Sequence, residues 1–269
     1  MSDSPLVQMD RPATGIVRLI LDDPATRNAI SSTAMIDALT GALLAADNED
    51  GHRVTILTGS GDVFCSGGDI KQMAARAGMF AGSPEQISEA YRQGIQRIPR
   101  TLARLRKPLL AAVNGPAYGA GCDLAMMCDL RVASDNARFA ENFVRLGLVP
   151  GDGGAWFLPR VVGQARAAEM ALTGEPVAAS TALEWGMVSR CVPPDRLQET
   201  ALELAQRISR NPPGAVVMTR QLLRESPVTD LETLLERSAT LQGLAHQSPD
   251  HHEAVAALLE KRPPRFGNP

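Results

Sequence analysis

Two glycine-rich segments carry the residue types in this chain that are best suited to chemistry. Residues 64–70 contain Gly67 and Gly68, and residues 114–123 contain Gly119 and Gly121. Glycine lets the backbone approach a ligand closely and adopt a positive φ. Two such turns brought together would aim two peptide N–H groups at one oxygen, which is the arrangement that stabilises an oxyanion. The sequence therefore predicts a site that holds a developing negative charge on oxygen.

The elements around these segments must position them. Residues 54–58 are β-branched and apolar, and residues 109–113 form the continuous apolar run that is typical of a buried strand. The second glycine segment leads into an apolar, helix-like stretch over residues 122–127. Each glycine turn is therefore predicted to follow a strand, and the second is predicted to open a helix.

Other elements follow from periodicity and turn signals. Residues 16–21 predict a strand, Ser31 to Thr33 offer caps for a helix to about Asp47, and residues 130–133 and 138–143 predict two more strands. Ser83, Pro84 and Gln86 form a capping-box pattern, which predicts a helix to about Arg104. Residues 74–82 lack a period, and we expect a mobile loop that lines part of the pocket.

The order of these elements indicates the fold class. Strands and helices alternate to about residue 192, and the rest of the chain is rich in helical patterns. We therefore expect an α/β core over residues 1–195 and a C-terminal helical region over residues 196–269. A chain of 269 residues with 44% apolar content is long enough for this arrangement.

Composition restricts the partners and the compartment. The net charge of −3 provides no general attraction to nucleic acid or to anionic membrane. No apolar run approaches the roughly 18 residues that span a bilayer, and residues 1–10 show no secretory signal. The four cysteines form no CxxC pair, so we expect free thiols, no metal and a cytoplasmic location.

Several motifs in one order resemble the crotonase superfamily, the enoyl-CoA hydratase/isomerase family. The resemblance rests on residues 64–73, 111–115, 119–129, 146–150 and 260–263, together with the Gly153-Gly154 pair. It implies an α/β crotonase-like spiral of ββα units with a C-terminal helical trimerisation region. It also implies an acyl-CoA thioester substrate, no prosthetic group, and a homotrimer or a dimer of trimers.

The resemblance assigns the two oxyanion-hole N–H groups to Gly68 and Ala120. Ala120 opens the helix that begins near Gly121, where unsatisfied N–H groups meet the positive end of the helix dipole. Ordinary turn chemistry is enough to explain one glycine turn alone. It does not explain several glycine turns in the order that is typical of the family.

The resemblance also implies contacts with coenzyme A. The backbone of the loop that contains Arg27 and Ala29 would meet the adenine and pantetheine, and Lys71 would lie near the nucleotide phosphates. Lys261 and Phe266 match a tail that contacts the cofactor, sometimes from a neighbouring subunit. A solvated surface lysine is an equal alternative for Lys71 or Lys261 taken alone.

The chain departs from a typical hydratase of the family, which holds a water molecule between two glutamates. The first of these positions is Asp123, whose reach is about 1.5 Å shorter than that of glutamate. The second position is Phe143, which neither accepts nor gives a proton. These two differences disfavour ordinary hydration.

Three other acidic residues lie near the same motifs. Asp152 stands beside the Gly153-Gly154 pair, and it is either an acid–base for a 1,3-proton shift or a cap of the next helix. Glu141 would share a strand face with Phe143 if residues 138–143 are a strand, and we expect a surface or salt-bridge role for it. We expect Asp69 to cap a helix.

These observations predict an enzyme that acts on an enoyl-CoA through an enolate-like intermediate. Phe143 favours double-bond isomerisation or an atypical hydration, with Asp123 or Asp152 carrying the proton. The alternative is a non-catalytic acyl-CoA-binding protein that has lost its acid. RNA binding, which is known in the family, is disfavoured by the acidic balance and by the lack of a basic patch with interleaved aromatic residues.

Overall fold

The computed structural model describes residues 5–267, which form two β-sheets packed against helices. The strands are β1 (Val7–Ala13), β2 (Ile16–Leu21), β3 (Val54–Gly59), β4 (Leu109–Val113), β5 (Ala117–Tyr118), β6 (Leu130–Ser134), β7 (Arg138–Ala140), β8 (Val177–Ala178) and β9 (Arg190–Val192). The helices are α1 (Thr33–Asn48), α2 (Ile70–Ala74), α3 (Pro84–Gln93), α4 (Arg97–Arg104), α5 (Ala120–Met127), α6 (Gly154–Val162), α7 (Gln164–Thr173), α8 (Ala179–Glu184), α9 (Leu197–Ser209), α10 (Pro213–Glu225), α11 (Leu231–His246) and α12 (Pro249–Glu260). The first four residues, which belong to the segment expected to lack a secretory signal, lie outside the described part.

The larger sheet has the strand order β1-β2-β3-β4-β6-β9. All of its neighbouring pairs are parallel except β1 with β2. Because the C-terminal ends of parallel strands meet at one edge, the segments after β3, β4 and β6 leave the sheet on the same side. The smaller sheet, β5-β7-β8, lies within these segments.

Both faces of the larger sheet are buried. Leu109, Ala111 and Val113 of β4 belong to a core cluster that also contains side chains of α1, α4 and α5. Leu110 and Ala112 point to the other face, where they belong to a second cluster with α9. A strand that is covered on both sides needs apolar residues at every position, which explains the continuous apolar run in β4.

The helix start signals are confirmed, but one predicted helix is interrupted. Ser32 caps α1 by accepting a hydrogen bond from the Met35 backbone N–H, and Ser83 and Gln86 form the predicted capping box of α3. The predicted single helix from Pro84 to Arg104 is wrong, since it breaks at Gly94 (φ −102°, ψ −111°) into α3 and α4. A Cβ at Gly94 would lie 2.5 Å from the Ala90 carbonyl oxygen, so only glycine fits this break.

The predicted strand over residues 138–143 is also too long. β7 ends at Ala140, and Asn142–Leu146 is a 3-10 helix. Glu141 has the non-extended conformation φ −89°, ψ 62°. Glu141 and Phe143 therefore do not share the face of a strand, and the expectation based on strand geometry is wrong.

The C-terminal helices differ in how they contact the sheet. α9 covers one sheet face, and Arg220 and Arg224 of α10 make ion pairs of 2.7 and 2.9 Å with Asp129, which precedes β6.

The division of the chain at residue 195 stays a prediction. Within residues 5–267, none of the helices is both long and apolar enough to cross a membrane.

Candidate active site

The two glycine turns lie directly against each other. The Tyr118 backbone N–H donates to the Cys65 carbonyl oxygen at 3.0 Å, and the Phe64 N–H donates to Pro116 O at 3.1 Å. A Cβ at Gly67 would lie 3.0 Å from the Ala120 nitrogen, and a Cβ at Gly121 would lie 2.9 Å from Cys65 Cβ. Side chains at these two glycines would push the turns apart.

The second turn presents its N–H groups at the start of α5. Gly119 is the N-cap with φ 51°, a conformation that glycine adopts readily, and Ala120 is the first helical residue. Among the described residues, neither the Gly68 N–H nor the Ala120 N–H has a hydrogen-bond acceptor. This arrangement fits the predicted oxyanion hole, whose role stays a prediction.

The segment after the first turn folds over Gly68. Asp69 caps α2 through its carboxylate, which accepts from the Lys71 backbone N–H at 2.8 Å, so the cap expected from the sequence is confirmed. The Met73 methyl and the Phe80 ring lie on the side of Gly68 where a side chain would project. Phe80 belongs to the segment 74–82, which contains a short 3-10 turn at Gly78–Phe80, and the mobility expected of this segment stays a prediction.

Three carboxyl groups gather in the interior behind the second turn. Asp123, Glu141 and Asp152 are 0%, 1% and 3% exposed. None of their six carboxyl oxygens has a hydrogen-bond partner among the described residues. The expectation of a surface or salt-bridge role for Glu141 is therefore wrong. Asp123 lies on α5 three residues after Ala120, so it lies on the same helix face one turn further on.

Burial is the largest influence on all three carboxyls. It raises the pKa of Asp123 and Asp152 well above the ordinary value and also raises the pKa of Glu141. The charge of Glu141 raises the pKa of Asp123 further, and the charge of Asp123 does the same for Asp152. These shifts are the kind that allow a carboxyl group to act as a weak acid–base near neutral pH.

Gly154 makes room for this cluster, and Gly153 precedes it. A Cβ at Gly154, the first residue of α6, would lie 2.7 Å from the Asp123 carboxyl carbon. Gly153 is the N-cap of α6, and no side chain makes a capping hydrogen bond there. The alternative in which Asp152 caps this helix is therefore wrong.

Two aromatic rings lie beside the segments that carry the site residues. The Phe143 ring lies beside the second turn, where a Cβ at Gly119 would be 3.5 Å from Phe143 Cζ. The Tyr91 ring of α3 lies against Gly151, and burial together with the charge of Asp152 raises the pKa of Tyr91. Tyr91 is therefore close enough to Asp152 for the charge of Asp152 to affect it.

A cleft of about 260 Å³ opens between α6 and α7. Its walls are mostly small and apolar, with Ala155 and Leu158 on α6 facing Ala167, Ala168 and Ala171 on α7. Glu141 is part of its lining. The cleft therefore reaches one of the three residues of the carboxyl cluster.

The loop that the resemblance assigns to coenzyme A lies against the first turn. The Arg27 carbonyl oxygen accepts from the Ser66 N–H at 3.1 Å, and Ala29 is buried. Arg27 and Asn28 have positive φ, and the buried Asn28 amide supports this loop by donating to Val63 O at 2.9 Å. Lys71 is exposed on α2 at the same edge of the sheet.

Phe266 is not brought to this edge within the chain. The Phe266 carbonyl oxygen accepts from Arg53 Nη2 at 3.4 Å, and Arg53 directly precedes β3, at the opposite end of that strand. Lys261 is the exposed C-cap of α12. A contact of Phe266 with a ligand at the glycine turns would therefore come from a neighbouring subunit, the alternative that the resemblance implies.

Sequence reasoning missed Tyr91 and misplaced Glu141. Glu141 follows the buried residues Phe139 and Ala140, and an acidic residue beside a buried strand is the available signal. Tyr91 had no such signal, because α3 contains no buried residue and reaches Gly151 only through the tertiary fold.

The chain is similar to enzymes of known activity. It is 36% identical to the 2,3-dehydroadipyl-CoA hydratase of Escherichia coli over 93% of this chain and 94% of that protein. It is 35% identical to the 1,2-epoxyphenylacetyl-CoA isomerase of the same organism over 94% and 95% of the two chains. These two relatives catalyse different reactions, so sequence similarity alone does not choose between them.

Solved structures resemble the fold closely. An enoyl-CoA hydratase from Bacillus anthracis superposes with a TM-score of 0.90 at 32% identity and covers 97% of this chain and 98% of its own. An enoyl-CoA hydratase from Mycobacterium smegmatis also superposes with a TM-score of 0.90, at 35% identity, and the match covers 98% of this chain and 99% of that chain. The predicted crotonase-like fold is confirmed.

The family model described as enoyl-CoA hydratase/isomerase matches residues 11–269, and the chain therefore belongs to the enoyl-CoA hydratase/isomerase family of the crotonase superfamily.

Proposed function

We propose that this protein moves the double bond of an enoyl-CoA thioester through an enolate. The proposal is carried by one observation, the three buried and unpartnered carboxyl groups of Asp123, Glu141 and Asp152 behind the second turn. In this proposal, the Gly68 and Ala120 N–H groups bind the thioester oxygen. The cytoplasmic location expected from the sequence suits such a substrate.

The reaction is a 1,3-proton shift. The thioester oxygen accepts hydrogen bonds from the two N–H groups, which makes the C2 protons of a 3-enoyl chain acidic. A carboxylate takes one C2 proton, the electrons delocalise over C2 to C4 and the oxygen, and the same carboxyl returns the proton to C4. Asp123 or Asp152 is the group that touches the substrate.

Phe143 supports isomerisation over ordinary hydration. Its ring lies against Gly119, where the second glutamate of a hydratase would stand by the resemblance. An apolar ring offers no hydrogen bond to a water molecule, and it shields a dienolate from protonation by solvent. A site of this kind favours return of the proton to carbon.

Binding of coenzyme A involves two parts of the assembly in this proposal. The subunit that supplies the oxyanion hole contacts coenzyme A through Arg27, Ala29 and Lys71. A neighbouring subunit contacts it through Lys261 and Phe266. We therefore propose a homotrimer or a dimer of trimers. Support comes from exposed leucines on the last three helices, which are between 52% and 79% exposed: Leu223, Leu231, Leu235, Leu244, Leu258 and Leu259.

Atypical hydration is the second candidate. In this candidate, two of the three buried carboxyls hold the water molecule between them, because Phe143 cannot take the place of the second glutamate. The 36% identity to the 2,3-dehydroadipyl-CoA hydratase of E. coli also supports it. The two candidates make opposite predictions for the conjugated double bond. Hydration removes the conjugation of a 2-enoyl thioester, whereas isomerisation of a 3-enoyl thioester creates it.

Ultraviolet absorbance therefore separates the candidates. We expect absorbance of the conjugated thioester to rise with a 3-enoyl-CoA and to remain nearly constant with crotonyl-CoA. Asp123→Asn or Asp152→Asn should reduce the rise by about 10²-fold or more, whichever residue carries the proton. Asp135→Asn, on an exposed turn, is the matched control. Rapid loss of crotonyl-CoA without isomerisation contradicts the proposal, as does tight binding of acyl-CoA without any turnover, which identifies a non-catalytic binder.

A further inference from the structure

The segment that carries Asp152 has few restraints of its own. Residues 149–152 link the 3-10 helix after β7 to α6, and Val149 is 75% exposed. Within residues 5–267, one hydrogen bond joins the backbone of this segment to another part of the chain: Gly151 O accepts from Gln96 Nε2 at 2.8 Å. Asp152 is nevertheless buried, so its position depends on contacts made by residues outside the segment.

The amide of Gln96 is fixed at both ends. Its nitrogen donates to Gly151 O, and its oxygen accepts from Arg100 Nη2 at 3.0 Å, four residues further along the chain. Because the oxygen is already paired with a cation, the nitrogen is the end that faces Gly151. An amide held in this way restrains the backbone directly before Asp152.

The ring of Tyr91 makes a second contact with the same glycine. A Cβ at Gly151 would lie 2.8 Å from Tyr91 Cε1 and 3.0 Å from Tyr91 Cδ1, and the three atoms nearest to this Cβ position all belong to the ring. Gly151 does not have a positive φ, so its backbone conformation does not require glycine. The edge of the Tyr91 ring therefore occupies the space that a side chain at this position would need.

The two contacting residues are joined to each other. The Gln96 backbone N–H donates to Tyr91 O at 3.1 Å, across the break at Gly94 that separates α3 from α4. Gln96 and Gly151 are 55 residues apart in the chain. Two linked residues of a distant segment thus converge on the one residue that precedes Asp152.

We propose that Tyr91 and Gln96 are positioning residues that hold Gly151 and thereby place the Asp152 carboxyl for the proton shift. This inference rests on the proposed function of the site. The ring limits how closely the Gly151 backbone approaches α3, and the amide limits how far it moves away. Packing of the ring carries this role, and the phenol hydroxyl takes no part in it.

Hydrogen exchange tests the positioning without any turnover. The amides of Trp156 and Phe157 report on the segment, because both donate to Gly153 O directly after Asp152. We expect the variant that removes the Gln96 donor, Gln96→Met, to raise exchange of these two amides by about fivefold, as loss of one typical hydrogen bond does.

Two further variants complete the exchange test. Tyr91→Ala should raise exchange of the Trp156 and Phe157 amides in the same way. Gln93→Met makes the same chemical change as Gln96→Met on an exposed position of α3, and it should leave these amides unchanged. Exchange at the wild-type rate in both Gln96→Met and Tyr91→Ala overturns the proposal.

Kinetics test the consequence for the reaction. Misplacement of a reacting group by about 1 Å can cost about 10²-fold in rate, so we expect Tyr91→Ala and Gln96→Met to lower kcat by about tenfold or more, with little change in KM. Tyr91→Phe keeps the ring and should restore the wild-type kcat. Wild-type kcat in both Tyr91→Ala and Gln96→Met overturns the proposal, as does a loss in Tyr91→Phe equal to that in Tyr91→Ala.

Double variants show whether these residues act through Gly151 and Asp152. In an Asp152→Asn background, Gln96→Met should cause no further loss of kcat, because the carboxyl that it positions is gone. Gly151→Ala should lower kcat by displacing the ring, and Tyr91→Ala in the same chain should restore part of it, because the added methyl group then fills the vacated space. Losses that multiply in either pair overturn the proposal.

The exchange measurement separates the inference from the proposed function. If no enoyl-CoA is isomerised, the proposed function is wrong. In that case, faster exchange of Trp156 and Phe157 in Gln96→Met retains the positioning contacts, and an unchanged rate overturns them. If Tyr91→Ala fails to fold, Gln96→Met with its Gln93→Met control decides both the exchange and the kinetic test.

Discussion

The carboxyl group of Asp123 occupies the space that a side chain on Gly154 would fill. A Cβ at Gly154 would lie 2.7 Å from both Cγ and Oδ2 of Asp123. Gly154 is buried at the start of α6, so the carboxyl has no simple direction in which to move. We expect Gly154→Ala to destabilise the fold by about 1–3 kcal/mol, as overpacking of a buried site does, and to lower kcat at least tenfold. Thermal unfolding and steady-state kinetics measure these two effects.

A double variant identifies the cause. In Asp123→Ala/Gly154→Ala the clash is gone, so we expect most of the stability to return while the activity stays low. Gly41→Ala on the exposed side of α1 is the control, because nothing lies within 4 Å of its Cβ position, and it should be neutral or stabilising. Additive losses in the double variant would show that Gly154 does not act through Asp123.

The oxyanion hole is tested by removing a backbone N–H. Ala120 is the first residue of α5, a position where proline is tolerated because its missing N–H is not needed by the helix. We therefore expect Ala120→Pro to lower kcat by about 10²–10³-fold, the usual effect of losing one oxyanion donor.

The control for this variant is Thr33→Pro, at the exposed first position of α1. Both variants should unfold at temperatures close to the wild type, but only Ala120→Pro should lose activity. Full activity of a correctly folded Ala120→Pro protein would show that the Ala120 N–H does not bind the reacting oxygen.

Phe143 is the position that we expect to select the reaction. Phe143→Glu places a carboxyl beside Gly119, where it can hold a water molecule near Asp123. We expect hydration of crotonyl-CoA to increase relative to isomerisation of a 3-enoyl-CoA, as measured by product analysis on the same preparation. Phe143→Leu keeps the site apolar and should keep the wild-type ratio of products. An unchanged ratio in Phe143→Glu would show that this ring does not determine the reaction.

The carboxyl cluster should make stability depend on pH. Burial raises the pKa of Asp152 well above the unfolded value of about 4. The unfolded chain then loses this proton at lower pH than the native state, so stability is full below about pH 4 and falls as the pH rises toward the folded pKa. Each pH unit in that interval corresponds to about 1.4 kcal/mol for one such group.

Asp152→Asn removes this dependence for one carboxyl. We expect the melting temperature of the variant, relative to wild type, to be higher at about pH 8 than at about pH 4. For Asp135→Asn, on an exposed turn, the difference in melting temperature from wild type should be the same at about pH 8 and at about pH 4. A difference that does not change with pH would mean that Asp152 is not held in its protonated form.

Sequence patterns were sufficient for the elements with strong local signals. The apolar run of β4, the Ser32 cap and the Ser83–Gln86 capping box depend on neighbouring residues, and all three were predicted correctly. The edge strand β1 was not predicted, because Pro12 and a bulge between Asp10 and Ala13 interrupt its alternation.

The carboxyl cluster depended on contacts that no local pattern contains. Glu141 is turned inward because β7 ends at Ala140 and the chain enters a 3-10 helix, whereas alternation predicted a longer strand. Asp152 resembles a helix cap in sequence, but Gly153 takes that position. Tyr91 reaches the cluster from a helix whose residues are all at least partly exposed.

The fate of one proton tests the central claim most directly. A 3-enoyl-CoA carrying deuterium at C2 is incubated with the protein in ordinary water, and the product is analysed for its structure and for deuterium at C4. Because the carboxyls are buried, we expect a conjugated 2-enoyl-CoA that keeps part of the deuterium at C4. A 3-hydroxyacyl product, or a 2-enoyl product without deuterium at C4, would contradict proton transfer by a carboxyl shielded from water.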